Sequence, residues 1–292
     1  MDWKSPATDP ASSTSQANVF NGSDEAISES QLTSFTAELS RQTGLAFSNY
    51  DSLHAFSVRD YRAFWKCFVN WLPGFEIIEG TTAICVGDEC ESAYFFPDLQ
   101  LNYADKLLDL SVASAGEPAV TACFADGTRW ALTRGELRDR VARLAQALSD
   151  LGIVKGDCVV AVMRNDAMAV IAALSVAAIG ATLATSSPEM GSPALLERFS
   201  QLSPRLLIAH TTTRSFDNGV PLTNKITELA ANLPTLVNII NLDDACPPLD
   251  THLPCFSARA LMERVVPARI VWTRVCNSGG LFHGSCLTGF MG

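Results

Sequence analysis

Basic charge is the first thing this sequence has too little of. Its 21 Lys and Arg stand against 31 Asp and Glu, giving a net charge of -10 and a pI near 4.8. A surface that grips nucleic-acid phosphates needs the opposite balance, so nucleic acid is excluded as a partner. Paired cysteines are missing as well. The nine Cys stand at 67, 85, 90, 123, 158, 246, 255, 276 and 286, with no Cys-x-x-Cys unit and no regular spacing. That argues against a disulfide framework and for reduced thiols in the cytoplasm. An apolar signal segment is also lacking, because Met1 to Ser30 is polar and acidic.

One stretch lacks charge altogether. Ala167 to Pro188 carries none across a length that could span a bilayer. It is Ala-rich, however, and Ile179-Gly180-Ala181 reads as a helix-to-strand turn within it. A helix buried against a sheet is apolar all round, so the stretch is read as α/β core and no membrane is expected.

What is present suggests a globular chain. With 292 residues, 48% hydrophobic and 18% charged, it is long enough for about two domains of ~150 residues each. Residues 1–30 are expected to be a disordered leader, since few large apolar groups are there to offset ordering entropy. Residues 31–115 read as a helical N-terminal region. Leu32, Phe35 and Leu39 share one face of a first helix that Gly44 stops. Tyr61, Phe64, Trp65, Phe68 and Leu72 form the stripe of a second helix, with Ser57 as its expected cap, and a short helix is expected from Asn102 to about Ala113.

Residues 116–255 alternate strand and helix. Ala119–Phe124 and Thr128–Leu132 flank the Asp126-Gly127 turn, and Thr133 with Glu136 makes a capping box for a long helix ending at Gly152. Strands follow at Cys158–Met163, Ala181–Thr185, Arg205–Ala209 and Leu236–Asn241, with helices between them. This order predicts an α/β fold with a mostly parallel sheet and flanking helices. From residue 256 the pattern is expected to change. Arg259, Arg264, Arg269 and Arg274 oppose only Glu263, and Gly, Ser and Cys crowd the end. Residues 256–292 are therefore expected to be an atypical tail, of the kind that an altered reading frame, an internal deletion or a mis-assigned exon would produce.

Two groups of motifs carry a family resemblance. Phe95-Phe96-Pro97 with Leu101-Asn102-Tyr103-Ala104, and Ser187-Pro188-Glu189-Met190-Gly191 running on to Phe199, are similar to the N-terminal part of acetoacetyl-CoA synthetases. Leu53–Val58 with Phe64-Trp65, and Thr133 to Asp157, extend the likeness over roughly residues 45 to 245. These belong to the adenylate-forming acyl-CoA ligases. The resemblance implies a partial N-terminal ligase domain, a small carboxylic acid substrate, and ATP, Mg²⁺ and CoA as cofactors. In such enzymes the acid is adenylated, pyrophosphate leaves, and the CoA thiol then displaces AMP.

Phosphate binding in the family uses a loop reading roughly Ser-Ser-Gly-Thr-Thr-Gly-x-Pro-Lys, whose amides and lysine meet the developing charge. Near its expected position stands Asn277-Ser278-Gly279-Gly280, without the Thr pair, the Pro or the Lys. Ser278, Gly279 and Gly280 are thus a weak phosphate-loop candidate, and no catalytic or metal residue carries over. The chain is expected to stop short of the catalytic motifs and to be inactive alone. The alternative is a non-catalytic remnant or interaction module that associates with a full-length homologue.

Other constellations are weaker. Cys276, His283 and Cys286 lack a fourth zinc ligand, and Gly284-Ser285-Cys286 lacks the nucleophile-elbow spacing. His54 and His210 read as surface or packing residues, and Asp157 as a turn former.

Overall fold

A computed structural model of the chain describes residues 22–73, 83–89, 92–212, 222–244, 247–265, 273 and 275–276. These fall into two units, Met1–Ile77 and Ile78–Gly292.

The described part of the first unit is helical: α1 Asp24–Ser28, α2 Gln31–Thr43, α3 Tyr50–Arg59 and α4 Tyr61–Trp71. α1, capped by Ser23, lies inside the stretch expected to be leader; residues 1–21 lie outside the described residues. α2 ends as the sequence suggests, with Gly44 left-handed at φ 72°. The expected cap on Ser57 is a correction. Ser57 sits within α3, its hydroxyl donating to His54 O at 2.8 Å, while Asp60 takes the N-cap position of α4. Phe64 and Phe68 of the aromatic stripe pack on a small core while Trp65 stays exposed: Phe35 meets the rings of Phe64, Phe68 and Trp71 at 5.4, 5.4 and 5.5 Å. Edge-on aromatic packing of this kind adds about 0.5–1.5 kcal/mol per pair beyond the area buried.

The second unit opens with short pieces. β1 Cys85–Val86 pairs antiparallel with β2 Tyr94–Phe95, and β3 Gln100–Leu101 leads into α5 Tyr103–Leu107. α5 stops well before Ala113, because two arginines capture its terminal carbonyls: Arg134 donates to Leu107 O at 3.0 Å and Arg138 to Leu108 O at 2.6 Å. β4 Pro118–Cys123 and β5 Arg129–Thr133 form the expected hairpin. α6 Arg134–Asp150 then starts from the Thr133–Glu136 capping box, both halves of which are made.

The centre is a five-stranded, fully parallel sheet of β6 Cys158–Val162, β7 Thr182–Ser186, β8 Leu206–Ala209, β9 Asn238–Asn241 and β10 Cys255–Ser257. Between them run α7 Ala167–Ala178, α8 Ser192–Ser200 and α9 Thr223–Asn232. Side chains alternate between two cores. Val159, Ala161, Leu206, Ile208 and Ile240 face α6 and α7, whereas Val160, Val162, Leu207, Ala209 and Ile239 face α8 and α9. A sheet covered on both faces needs strands apolar throughout, which is why β6 and β8 read as unbroken apolar runs.

The uncharged run resolves accordingly. α7 is buried between β-sheet and helices, its Ser175 hydroxyl donating to Ile171 O at 2.7 Å, and Gly180 turns the chain at φ 74°. No helix of the described residues is long and apolar enough to cross a membrane.

Beyond residue 256, the strand–helix order continues through the described residues up to 265. β10 continues the sheet through Ser257, and α10 Ala258–Arg264 packs on α6 with Ala258 and Met262 buried. Arg143 Nη1 donates to Val265 O at 2.6 Å, closing that helix end. Farther on, β11 Val275–Cys276 pairs antiparallel with β3. Two of the arginines that made this stretch look foreign, Arg259 and Arg264, are exposed on α10, where Arg259 reaches Glu263 at 3.0 Å, while Arg269 and Arg274 lie outside the described residues.

Candidate functional site

The strand order β10-β9-β8-β6-β7 reverses direction between β6 and β8. In open parallel sheets such a reversal opens a crevice at the carboxyl ends of the strands, the usual place for a ligand. Here that position holds a buried polar network. Arg164 and Asp166 follow β6, His210, Thr211 and Thr212 follow β8, and Asn241 and Asp243 end β9.

His210 is 1% exposed. Its Nδ1 accepts the backbone N–H of Arg164 at 3.0 Å, and its Nε2 stands 3.2 Å from Asp166 Oδ2. An Nδ1 that accepts leaves the ring proton on Nε2, the nitrogen that faces the carboxylate. Asp166 Oδ1 in turn accepts from Met168 N–H and Ala169 N–H at 2.9 and 3.1 Å, capping α7. The Arg164 guanidinium bonds Asp243 and the carbonyl of Thr212. Asp243 Oδ2 receives the amides of Thr211 and Thr212 at 2.7 and 2.9 Å, and Thr211 Oγ1 bonds Asn241 Oδ1 at 2.8 Å.

Outside this network lies a cleft of about 860 Å³, bounded by α6, α10 and the ends of β8 and β9. Trp130, Met168, Leu242 and Met262 give it apolar wall. Its charges are three arginines (140, 143 and 259) and five carboxylates (Glu136, Asp139, Asp243, Asp244 and Glu263). The arginines are engaged: Arg143 with Asp139 at 2.7 Å, Arg259 with Glu263 and Asp244, and Arg140 over the Trp130 ring at 5.5 Å. The Glu136 carboxyl is held below its ordinary range, first by the Thr133 amide, then by the Thr133 hydroxyl, with Arg140 adding a smaller attraction.

This donor set does not fit a nucleoside triphosphate. A polyphosphate needs surplus cations, and among the described residues the three arginines that line the cleft are already engaged. Among the described residues no group of three or more His, Cys, Asp and Glu is arranged to hold a metal ion.

The residues singled out in the sequence disperse. Ser278, Gly279, Gly280, His283, Ser285 and Cys286 lie outside the described residues, and of Cys276 only its backbone pairing with Gln100 is described. His54 is exposed on α3 and stacks on Tyr50. Asp157 shapes its turn as expected, accepting the Val154 amide at 2.9 Å. Of the two readings for His210, surface or packing, burial matches packing, and the residue sits at the hub of the network. A signal for it existed, since Arg164, His210 and Asp243 each stand one or two positions beyond a predicted strand end.

The two signature motifs have clear structural work. Asn102 caps α5 and donates to the carbonyls of Ala177, Ala178 and Thr273 at 3.0, 2.9 and 2.9 Å. The Ser187–Gly191 loop after β7 is held by Lys225 of α9, whose ammonium bonds the carbonyls of Pro188 and Met190.

Comparison with known proteins agrees with this architecture. The acetoacetyl-coenzyme A synthetase of Rhizobium meliloti is 35% identical over 185 residues, covering 63% of this chain and 28% of the relative. The acetoacetyl-CoA synthetase of Rattus norvegicus is 34% identical over 196 residues, 62% of this chain and 27% of the relative. That of Macaca fascicularis is 30% identical over 225 residues, 72% and 31%. The solved acetoacetyl-CoA synthetase from Streptomyces lividans superposes with a TM-score of 0.76 at 27% identity, covering 87% of this chain and 38% of that one. The chain thus spans well under half the length of each of these relatives. The family model described as AMP-binding enzyme matches residues 110–258, and the chain belongs to that family.

Proposed function

We propose that this chain is the front part of the AMP-binding domain of an acid–thiol ligase of the acetoacetyl-CoA synthetase type, acting on a short β-keto or related acid. The observation that carries this reading is the agreement of sequence and fold with relatives named acetoacetyl-CoA synthetase. The nominal chemistry is that of the resemblance: ATP and the acid give an acyl-adenylate and pyrophosphate, and CoA then takes the acyl group. Mg²⁺ would offset phosphate charge when bound. No step is assigned to residues of this chain, because its cleft does not suit a polyphosphate.

Alone, the 292-residue polypeptide is proposed to be inactive, in the cytoplasm. The absence of the family's phosphate-loop pattern around Ser278–Gly280 supports this. Pyrophosphate release with ATP, Mg²⁺, acetoacetate and CoA tests it: no turnover is expected, and measurable turnover overturns inactivity. A chimera continuing into the remainder of the Streptomyces lividans enzyme is expected to turn over acetoacetate. A folded but silent chimera overturns the ligase reading.

A second reading, a non-catalytic module that associates with a full-length homologue, is favoured by the mutual pairing of the cleft charges. Co-elution with the Streptomyces lividans enzyme on size exclusion is expected under it, and separate elution counts against it.

A further inference from the structure

The network behind the cleft has two ends in the same wall. Asp243 and Met168 both line the cleft, one in the loop after β9 and the other in the first turn of α7. Between them the contacts run in series. Asp243 holds the Arg164 guanidinium, the Arg164 amide bonds His210 Nδ1, His210 Nε2 lies 3.2 Å from Asp166 Oδ2 without a hydrogen bond to it, and Asp166 caps the Met168 and Ala169 amides. Every member is shielded: the side chains of Arg164 and Asp243 are 14% and 9% exposed, and those of His210 and Asp166 are each 1% exposed. Buried polar chains of this kind have few alternative partners, so a change at one member is passed to the next.

We propose that His210 couples the loop after β9 to the N-terminus of α7, so that a change at Asp243 in the cleft alters the order of that helix end. His210 is a positioning residue in this device, since it acts through Arg164 and Asp166 and does not line the cleft. A second route exists along the backbone from Arg164 to Asp166, which is short and turned by an Asp166 N–H to Arg164 O bond of 3.1 Å. The two routes give different results when the imidazole is removed.

Amide hydrogen exchange on the 292-residue chain separates them. Asp243→Asn removes the charge that anchors Arg164 and is expected to speed exchange of the Met168 and Ala169 amides at least tenfold. In a His210→Ala background the same substitution is expected to leave those two amides within twofold of the single variant. An unchanged Met168 and Ala169 in Asp243→Asn overturns the coupling. A tenfold effect that persists in His210→Ala assigns it to the backbone route and overturns the role of His210. Should His210→Ala not fold, His210→Phe, which keeps the ring's bulk without a nitrogen, carries the same comparison, and circular dichroism identifies which variants are folded.

Discussion

The side-chain amide of Asn102 donates to the carbonyl oxygen of Ala178 across 2.9 Å, in a site where Asn102 is 3% exposed. The last carbonyls of α7 have no partner within their own helix, and this amide supplies one. The same nitrogen serves Thr273 O, and the Thr273 amide donates to Ala178 O at 3.0 Å. One residue thus ties the start of α5, the end of α7 and Thr273, two positions before β11.

Replacing Asn102 with Ala removes its hydrogen bonds to the carbonyls of Ala177, Ala178 and Thr273 together with the α5 cap, which costs about 1–3 kcal/mol. Urea unfolding is expected to show that loss with the m-value unchanged. Asn102→Asp is expected to be worse, because a carboxylate would face three carbonyl oxygens. A loss below ~0.5 kcal/mol for both variants would contradict the assignment.

The capping box of α6 gives a smaller and cleaner effect. Thr133 N–H reaches Glu136 Oε2 at 2.8 Å, and Glu136 N–H reaches Thr133 Oγ1 at 3.2 Å. Thr133→Ala is expected to lower stability by about 0.5–2 kcal/mol, read as a fall in Tm. Glu136→Gln, which keeps a back-reaching acceptor, is expected to cost less.

These two cases mark what the sequence made legible. The capping box follows from local chemistry, since both partners are three residues apart, and it was foreseen with the strands and helices around it. The Asn102 contacts join residues 75 or more apart, and no local pattern announces them. Ser57 was misassigned because a Ser before an aromatic helix looks like a cap when the preceding helix is not recognised. The composition shift after residue 256 did not foretell β10 and α10, because Arg259 and Arg264 are exposed positions of a helix whose Ala258 and Met262 still face the core. The packing role of His210 is readable in the sequence but its partners are not, because Arg164 and Asp166 meet it only through strand order.

Gly180 offers a test of backbone geometry. It sits at φ 74°, and an added Cβ would meet Thr273 Cγ2 at 3.1 Å and Lys155 Cγ at 3.3 Å. Gly180→Ala is expected to cost about 1–2 kcal/mol from the left-handed conformation alone. The crowding against Thr273 adds to this, so Thr273→Ser in the Gly180→Ala background is expected to restore part of the loss. Equal stability of Gly180→Ala and the parent in chemical denaturation would show that the turn does not need the left-handed form.

The α2 surface carries a pH signature of defined sign. Glu38 is held down to about 2, first by the hydrogen bonds from Arg41, then by the one from Gln42. Arg41 Nη2 lies 2.6 Å from Glu38 Oε1 and Gln42 Nε2 lies 2.7 Å from the same oxygen. The folded carboxyl thus titrates below its unfolded value of about 4.3, so its contribution is fully present above that value. It is lost as pH falls through the window from about 4.3 toward about 2. Carbon-13 NMR of the Glu38 carboxyl is expected to show a midpoint near the bottom of that window. In Arg41→Gln the midpoint is expected to rise toward the ordinary value, with Gln42 keeping it partly depressed. Because the pair is solvent-exposed, raising the salt concentration is expected to move the parent midpoint upward too, through screening of the Arg41 charge. A midpoint that stays at the ordinary carboxyl value in the parent chain would mean that the Glu38–Arg41 pair does not persist in solution.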